Sequence, residues 1–209
     1  WHKWGVESQN KFNGMWALAI YDISTRQLWL TRDRFGIKPL YFLQKEDFFS
    51  FASEQKALAK FLLKSTYYPE IMSIIAQGGF SWASTDKSWL EGVTTLGAGC
   101  TLVYSDDGIT KFSWYKLPRI NIPESYNDKV DYFKELIFDA VSLRLRSDVD
   151  VATCLSGGVD SGSITSVIHQ LEKSGSNFQQ YIHTAYCASF PNSIIDESYL
   201  AGHLAISNR

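Results

Sequence analysis

Cysteine, histidine and net charge are all scarce in this sequence, and each shortage removes a class of explanation. The three cysteines, Cys100, Cys154 and Cys187, are an odd set without C-x-x-C spacing. That excludes a disulfide framework and a thiolate zinc site, and reads as reduced thiols in a cytoplasmic protein. The four histidines, His2, His169, His183 and His203, are scattered with no metal-ligand spacing. A formal net charge of −2 offers no basic surface for nucleic acid or an anionic membrane. No apolar run is long enough to cross a bilayer, and no secretory leader is expected. The first residue is Trp1 rather than Met, as expected of a piece of a longer protein.

What the sequence does hold is 209 residues, 45% hydrophobic and 15% aromatic. That suffices for one large or two small domains with a real core. One stretch organises the whole: residues 149–163, V-D-V-A-T-C-L-S-G-G-V-D-S-G-S. An apolar β-branched run ends at Leu155 and gives way to Ser156-Gly157-Gly158-Val159-Asp160-Ser161. Ile164, Val167, Ile168 and Leu171 then recur at helical spacing. Strand, Gly-rich turn and helix together aim backbone N–H groups and a helix N-terminus at an anion. The glycines let the backbone approach a phosphate without an intervening Cβ. Ser156 and Ser161 add hydroxyls, and Asp160 is placed to hold a Mg²⁺ that bridges phosphate oxygens. A bare Gly-Gly would read more readily as a tight turn capped by Ser161 or Ser163. The full S-G-G-V-D-S string after an apolar strand is far more specific. It resembles the pyrophosphate-binding loop of the N-type ATP pyrophosphatases, which split ATP into AMP and pyrophosphate.

The first half of the chain reads as β. Residues 15–21 form a continuous apolar run suited to a strand covered on both faces. Residues 22–27 make a turn and 28–31 its hairpin partner. After Arg32-Asp33-Arg34-Phe35-Gly36, strands are expected at 38–43 and 48–52. Ser53 is the expected cap of a helix over 54–63 that buries Ala57, Leu58 and Phe61. A helix over 67–79 stops at Gly78-Gly79, and Asp106-Asp107-Gly108 turns a hairpin between strands at 101–104 and 109–115. A Pro-containing linker follows. A helix over 128–146 carries Val130, Phe133, Ile137 and Val141 on one face, and Arg144 and Arg146 answer the dipole at its end.

F-N-G-M-W-A-L-A-I-Y-D, R-D-R-F-G-I-K-P-L-Y-F and F-A-S-E-Q-K-A-L resemble the second half of a class II glutamine amidotransferase domain. Joined to S-G-G-V-D-S, they resemble the glutamine-hydrolysing asparagine synthetase family over nearly the whole chain. The resemblance implies an α+β part followed by an α/β part. Residues 1–117 would be the C-terminal part of an N-terminal-nucleophile domain, two stacked antiparallel sheets between helix layers. Residues 118–126 would be a linker. Residues 127–209 would begin a doubly wound parallel-sheet ATP pyrophosphatase domain. It further implies that Asp33 helps hold the α-amino group of glutamine; read alone, Asp33 is a strand-end carboxylate paired with Arg32 or Arg34.

After Gly175 as a helix stop, residues 181–188 read as a second apolar strand. Ligands of such sheets lie at the carboxyl ends of the strands. That places Leu155 and Ala188 around one nucleotide, and the resemblance implies that both touch its adenosine; with Ser156, Gly157, Gly158, Val159, Asp160 and Ser161 on the pyrophosphate they are the expected ATP contacts, with Asp160 the Mg²⁺ ligand. Asp196 reads as the N-cap of a last helix, with a metal or nucleotide role for Asp196 or Glu197 as the alternative.

The family's implied reaction consumes glutamine, aspartate and ATP as small-molecule substrates, with no nucleic-acid or membrane partner, and allows a homodimer. A Cys at the very start of the mature chain hydrolyses glutamine, its own amine serving as base. Ammonia passes to an aspartyl-adenylate, releasing AMP. None of Cys100, Cys154 and Cys187 can be that terminal nucleophile, so no catalytic residue is expected within residues 1–209. Two other readings stay open: an amidotransferase or cyclising synthetase with another acceptor, and a non-catalytic nucleotide-binding relative.

Overall fold

A computed structural model describes residues 1–79, 85–174 and 183–207. The expected Gly175 stop and the first two residues of the 181–188 strand lie outside them. The chain forms two compact units, Trp1–Arg119 and Ile120–Arg209.

The first unit holds two antiparallel sheets. β1 (Ala17–Asp22), β2 (Gln27–Arg32), β6 (Cys100–Ser105) and β7 (Gly108–Ser113) make one, in the order β1-β2-β6-β7. β4 (Phe49–Ala52), β3 (Tyr41–Gln44) and β5 (Thr94–Thr95) make the other, in the order β4-β3-β5. Strand alternation sorts the side chains into layers. Leu30 and Leu102, cross-strand partners, meet Leu40 and Leu96 in the core between the sheets. Phe49 stacks on Tyr104 there, with centroids 4.6 Å apart. On the far side of the second sheet, Leu43 packs with Leu58 of α2 (Gln55–Ala59), Leu90 and Val93. On the far side of the first, Thr31 and Thr101 are paired and fully buried. Both hydroxyls donate to Oε1 of Gln9 on the short helix α1 (Ser8–Lys11). Helix, sheet, sheet, helix is the layering expected.

Several boundaries moved. The third strand begins at Tyr41, not at residue 38, because Lys38 and Leu40 spend their carbonyls on Arg32 Nε (2.7 Å) and the Leu96 amide (2.9 Å). Ser53 does not cap α2. The N-cap is Glu54, with no side-chain cap bond, and the helix is short enough that Phe61 stays 52% exposed. α3 (Pro69–Ala76) ends before Gly78, whose φ of +72° reverses the chain.

In the second unit, Ser125 caps α4 (Tyr126–Arg144), its Oγ accepting from the Asp128 amide at 3.1 Å. Arg144 donates to the Ala140 carbonyl at 2.8 Å, the C-terminal role expected of it. β8 (Val151–Cys154) and β9 (His183–Tyr186) pair in parallel, with α5 (Val159–Lys173) between them in sequence and α6 (Ser198–Ser207) following. Parallel strands need such a crossover. Val141 and Leu145 of α4 pack on Val167 and Ile168 of α5. The expected apolar face of α4 is only half used: Ile137 and Val141 lie at this contact, while Val130 and Phe133 are exposed. Cys154, expected to be a packed hydrophobe, is also exposed. Alternation along β8 turns Val151 to α5 and Cys154 the other way.

Candidate functional site

Two turns carry the polar chemistry of this chain. In the first, Asp33 follows β2, is 1% exposed and has both carboxylate oxygens occupied by backbone donors. Oδ1 accepts from Phe35 (3.1 Å) and Ile37 (3.0 Å), and Oδ2 from Lys38 (3.0 Å) and Trp16 (3.3 Å). Burial works against the charge, yet the four amides outweigh it and hold the Asp33 carboxyl below its ordinary pKa. A carboxylate has about four lone-pair sites, and here all are spent.

The flanking arginines belong to the same construction. Arg32 donates to the carbonyls of Lys38, Leu96 (2.6 Å) and Gly36 (2.5 Å). Arg34 donates to the carbonyls of Phe12 and Asn10 and lies over the rings of Trp114 and Tyr115. Gly36 closes the turn at φ +64°. The four amides fix the Asp33 carboxylate at the head of the turn, and its expected role, holding the amine of glutamine, stays a proposal. Asp33 does not pair with Arg32 or Arg34, the other expectation. Its hydrogen bonds organise the turn in which it stands.

The second turn is built the other way. Leu155, 4% exposed, ends its strand with its amide on the Tyr186 carbonyl at 2.8 Å. Gly157 then takes φ +81°. A Cβ there would stand 2.6 Å from the Cβ of Leu200 on α6, so glycine is required by dihedral and by space. The Ser156 and Ser161 hydroxyls lie 3.0 Å apart and clasp the loop, Ser161 Oγ also accepting from the Ser156 amide at 3.2 Å. Gly158 is the N-cap of α5 and offers no side chain to its first turn. The amides of Val159, Asp160 and Ser161 therefore have no acceptor within the helix. Three aligned donors on a positive helix end are the arrangement an anion favours. Asp160 stands exposed in that first turn.

Beside the loop, at the carboxyl ends of β8 and β9, lies a cavity of about 410 Å³. Leu155 and Ala188 line it as expected, and so do Phe190, Ile195 and Glu197. Sequence reasoning left Glu197 in doubt; its place just before the second helix of a strand-helix-strand-helix unit is the signal that points to it. Asp196 serves the backbone instead, its Oδ1 accepting from the Ser198 amide at 3.1 Å. Bonds from Ser198 and Ser189 lower its pKa. Among the described residues no three His, Cys, Asp or Glu side chains cluster into a metal cage. Mg²⁺ bound through phosphates needs only one or two carboxylates, so Asp160 fits as its protein ligand.

Residues 1–115 match the family described as glutamine amidotransferase domain, and the chain belongs to it. Residues 132–206 match the family described as asparagine synthase. Asparagine synthetase (glutamine-hydrolyzing) 3 of Bacillus subtilis is 29% identical over 172 residues, 79% of this chain and 27% of its own. Asparagine synthetase (glutamine-hydrolyzing) 2 of the same organism is 33% identical over 174 residues, 77% of this chain and 23% of its own. The chain thus spans about a third or less of the curated relatives it matches. Among solved structures, the glutamine phosphoribosylpyrophosphate amidotransferase of B. subtilis aligns over 87% of this chain and 34% of its own, with 18% identity and a TM-score of 0.34.

Proposed function

We propose that this chain is part of a cytoplasmic enzyme that makes asparagine from aspartate, using ammonia from glutamine and the cleavage of ATP to AMP and pyrophosphate. The observation that carries this reading is the set of unpaired amides at Val159, Asp160 and Ser161, opening beside a cavity at the ends of two parallel strands. The loop S-G-G-V-D-S has no lysine. Loops built for γ-phosphoryl transfer carry one, whose charge reaches the terminal phosphates. Here the terminal phosphates meet backbone amides, the Ser156 and Ser161 hydroxyls and the metal side of Asp160. Mg²⁺, when bound, neutralises charge on the phosphate oxygens. Ser156 to Ser161 hold the β- and γ-phosphates as one leaving unit, and donors fixed in advance stabilise the charge that builds on it. The nucleoside lies against Leu155 and Ala188, and the α-phosphorus between them is left to the aspartate carboxylate.

The test is product analysis with labelled ATP on the full-length protein, given glutamine, aspartate and Mg²⁺. AMP, pyrophosphate and asparagine in equal amounts are expected. ADP and phosphate would overturn the assignment of the loop, and AMP formation with an acceptor other than aspartate would overturn the assignment of the product.

A further inference from the structure

The cavity at the strand ends holds one charged side chain, and its sign is unexpected beside a phosphate loop. Glu197 lines it together with Leu155, Ala188, Phe190 and Ile195. Among the described residues its carboxylate has no hydrogen-bond or ion-pair partner. The backbone of Glu197 is fixed: its carbonyl accepts the amides of Leu200 (3.0 Å) and Ala201 (3.2 Å) as α6 begins. The same carbonyl lies 3.2 Å from the position a Cβ on Gly157 would take. Glu197 therefore lies against the phosphate loop and lines the same cavity as the apolar side chains of Phe190 and Ile195.

A carboxylate accepts hydrogen bonds and repels phosphate. What fits between a phosphate site and an apolar base site, and offers donors to an anion, is a ribose. We propose that Glu197 is a specificity-determining residue that accepts hydrogen bonds from the 2′- and 3′-hydroxyls of the nucleotide, one on each carboxylate oxygen. The inference rests on the nucleotide reading of this site and adds to it the selection of ribonucleotides over deoxyribonucleotides. Asp160, on the phosphate side, takes no part in it.

Equilibrium binding of ATP, 2′-deoxy-ATP and 3′-deoxy-ATP to the full-length protein with Mg²⁺, without aspartate, tests this directly. The wild type should bind each deoxy analogue about 10- to 100-fold more weakly than ATP, the range for a hydrogen bond to a charged group. Glu197→Gln should weaken ATP by a similar factor and leave the analogues nearly unchanged, so that discrimination collapses. Equal binding of all three by the wild type overturns the proposal without need of any variant. Equal weakening of all three by Glu197→Gln also overturns it, because that is the mark of a disturbed α6 start. A wild type that binds none of the three overturns the nucleotide reading itself.

Discussion

The Asp33 turn and the Ser156–Ser161 loop solve one problem in opposite ways. Each follows a strand, uses a glycine at positive φ and gathers backbone N–H groups into a concavity. In the first the concavity is filled by a carboxylate of the chain itself. In the second it is left open: among the described residues no carboxylate accepts from these amides, and Asp160 stands exposed in the first turn of the helix. A nest of amides is thus open to an outside anion only where the chain has not supplied one. The residue type says little; the occupancy of its partners says nearly everything.

The largest way to break this contrast is to empty the filled turn. Asp33→Ala leaves four amides without their acceptor. At about 1–3 kcal/mol for a buried donor, partly relieved by water, the loss should be about 3–5 kcal/mol. Denaturant unfolding followed by tryptophan fluorescence of the intact protein should show it. A loss under 1 kcal/mol would mean that the turn does not depend on its anion.

Next comes the open loop. Asp160→Ala in the full-length enzyme should slow ATP cleavage by on the order of 10²-fold, the scale for losing one strong transition-state stabiliser. It should leave the melting temperature almost unmoved. A large drop in stability with little change in rate would make Asp160 structural like Asp33, and the contrast would dissolve.

The two turns should also part in acid. The folded pKa of Asp33 lies below its ordinary value, so its stabilising effect is fully present above the unfolded value of about 3.9 and is lost as pH falls through the folded value. Melting temperature followed from pH 6 downward should fall below about pH 4. Asp33→Asn should start lower and fall less over that window. Parallel curves for the two proteins would locate the acid sensitivity elsewhere.

The smallest effect sharpens the comparison from outside. Ser125→Ala removes a side-chain cap from an exposed helix start, where water replaces the lost acceptor. A cost of about 1 kcal/mol is expected by denaturant titration, well below that of Asp33→Ala, although both delete an oxygen that accepts backbone amides.

What the sequence disclosed followed the range of the interactions concerned. The loop after Leu155, its helix and the parallel partner strand were legible because strand, turn glycines and helical spacing are local signals. The layering of the first unit was legible from β alternation and from the resemblance together. The partners of Asp33 were not legible, because three of them are backbone amides of the turn it organises and the fourth is that of Trp16, and no side-chain pattern encodes them. Val130 and Phe133 were placed on the right face of α4, but periodicity tells which side is apolar and not how far a neighbouring helix extends along it. Cys154 failed for the same reason. Glu197 was ambiguous because a carboxylate before a helix satisfies a capping pattern equally well, and Asp196 next to it fulfils that role.

The buried trio of Gln9, Thr31 and Thr101 bears on how the first sheet avoids being assembled wrongly. Thr31 and Thr101 sit opposite each other on adjacent strands, with Leu30 opposite Leu102 one step along. The two strands are separated by about seventy residues of chain, so nothing local fixes their alignment. A slip of β6 by one residue would turn the Thr101 hydroxyl into the leucine layer between the sheets and bring its apolar neighbour Leu102 to the face of Thr31 and Gln9. Such a misalignment buries the Thr101 hydroxyl without a partner and takes one partner from each of Thr31 and Gln9. The trio adds little to the stability of the correct sheet, since its bonds only replace bonds to water. Its effect falls on the incorrect ones: it is a lock on alignment, and a Gln9→Leu, Thr31→Val, Thr101→Val protein should be as stable as the original while losing the penalty that tells one register from the next.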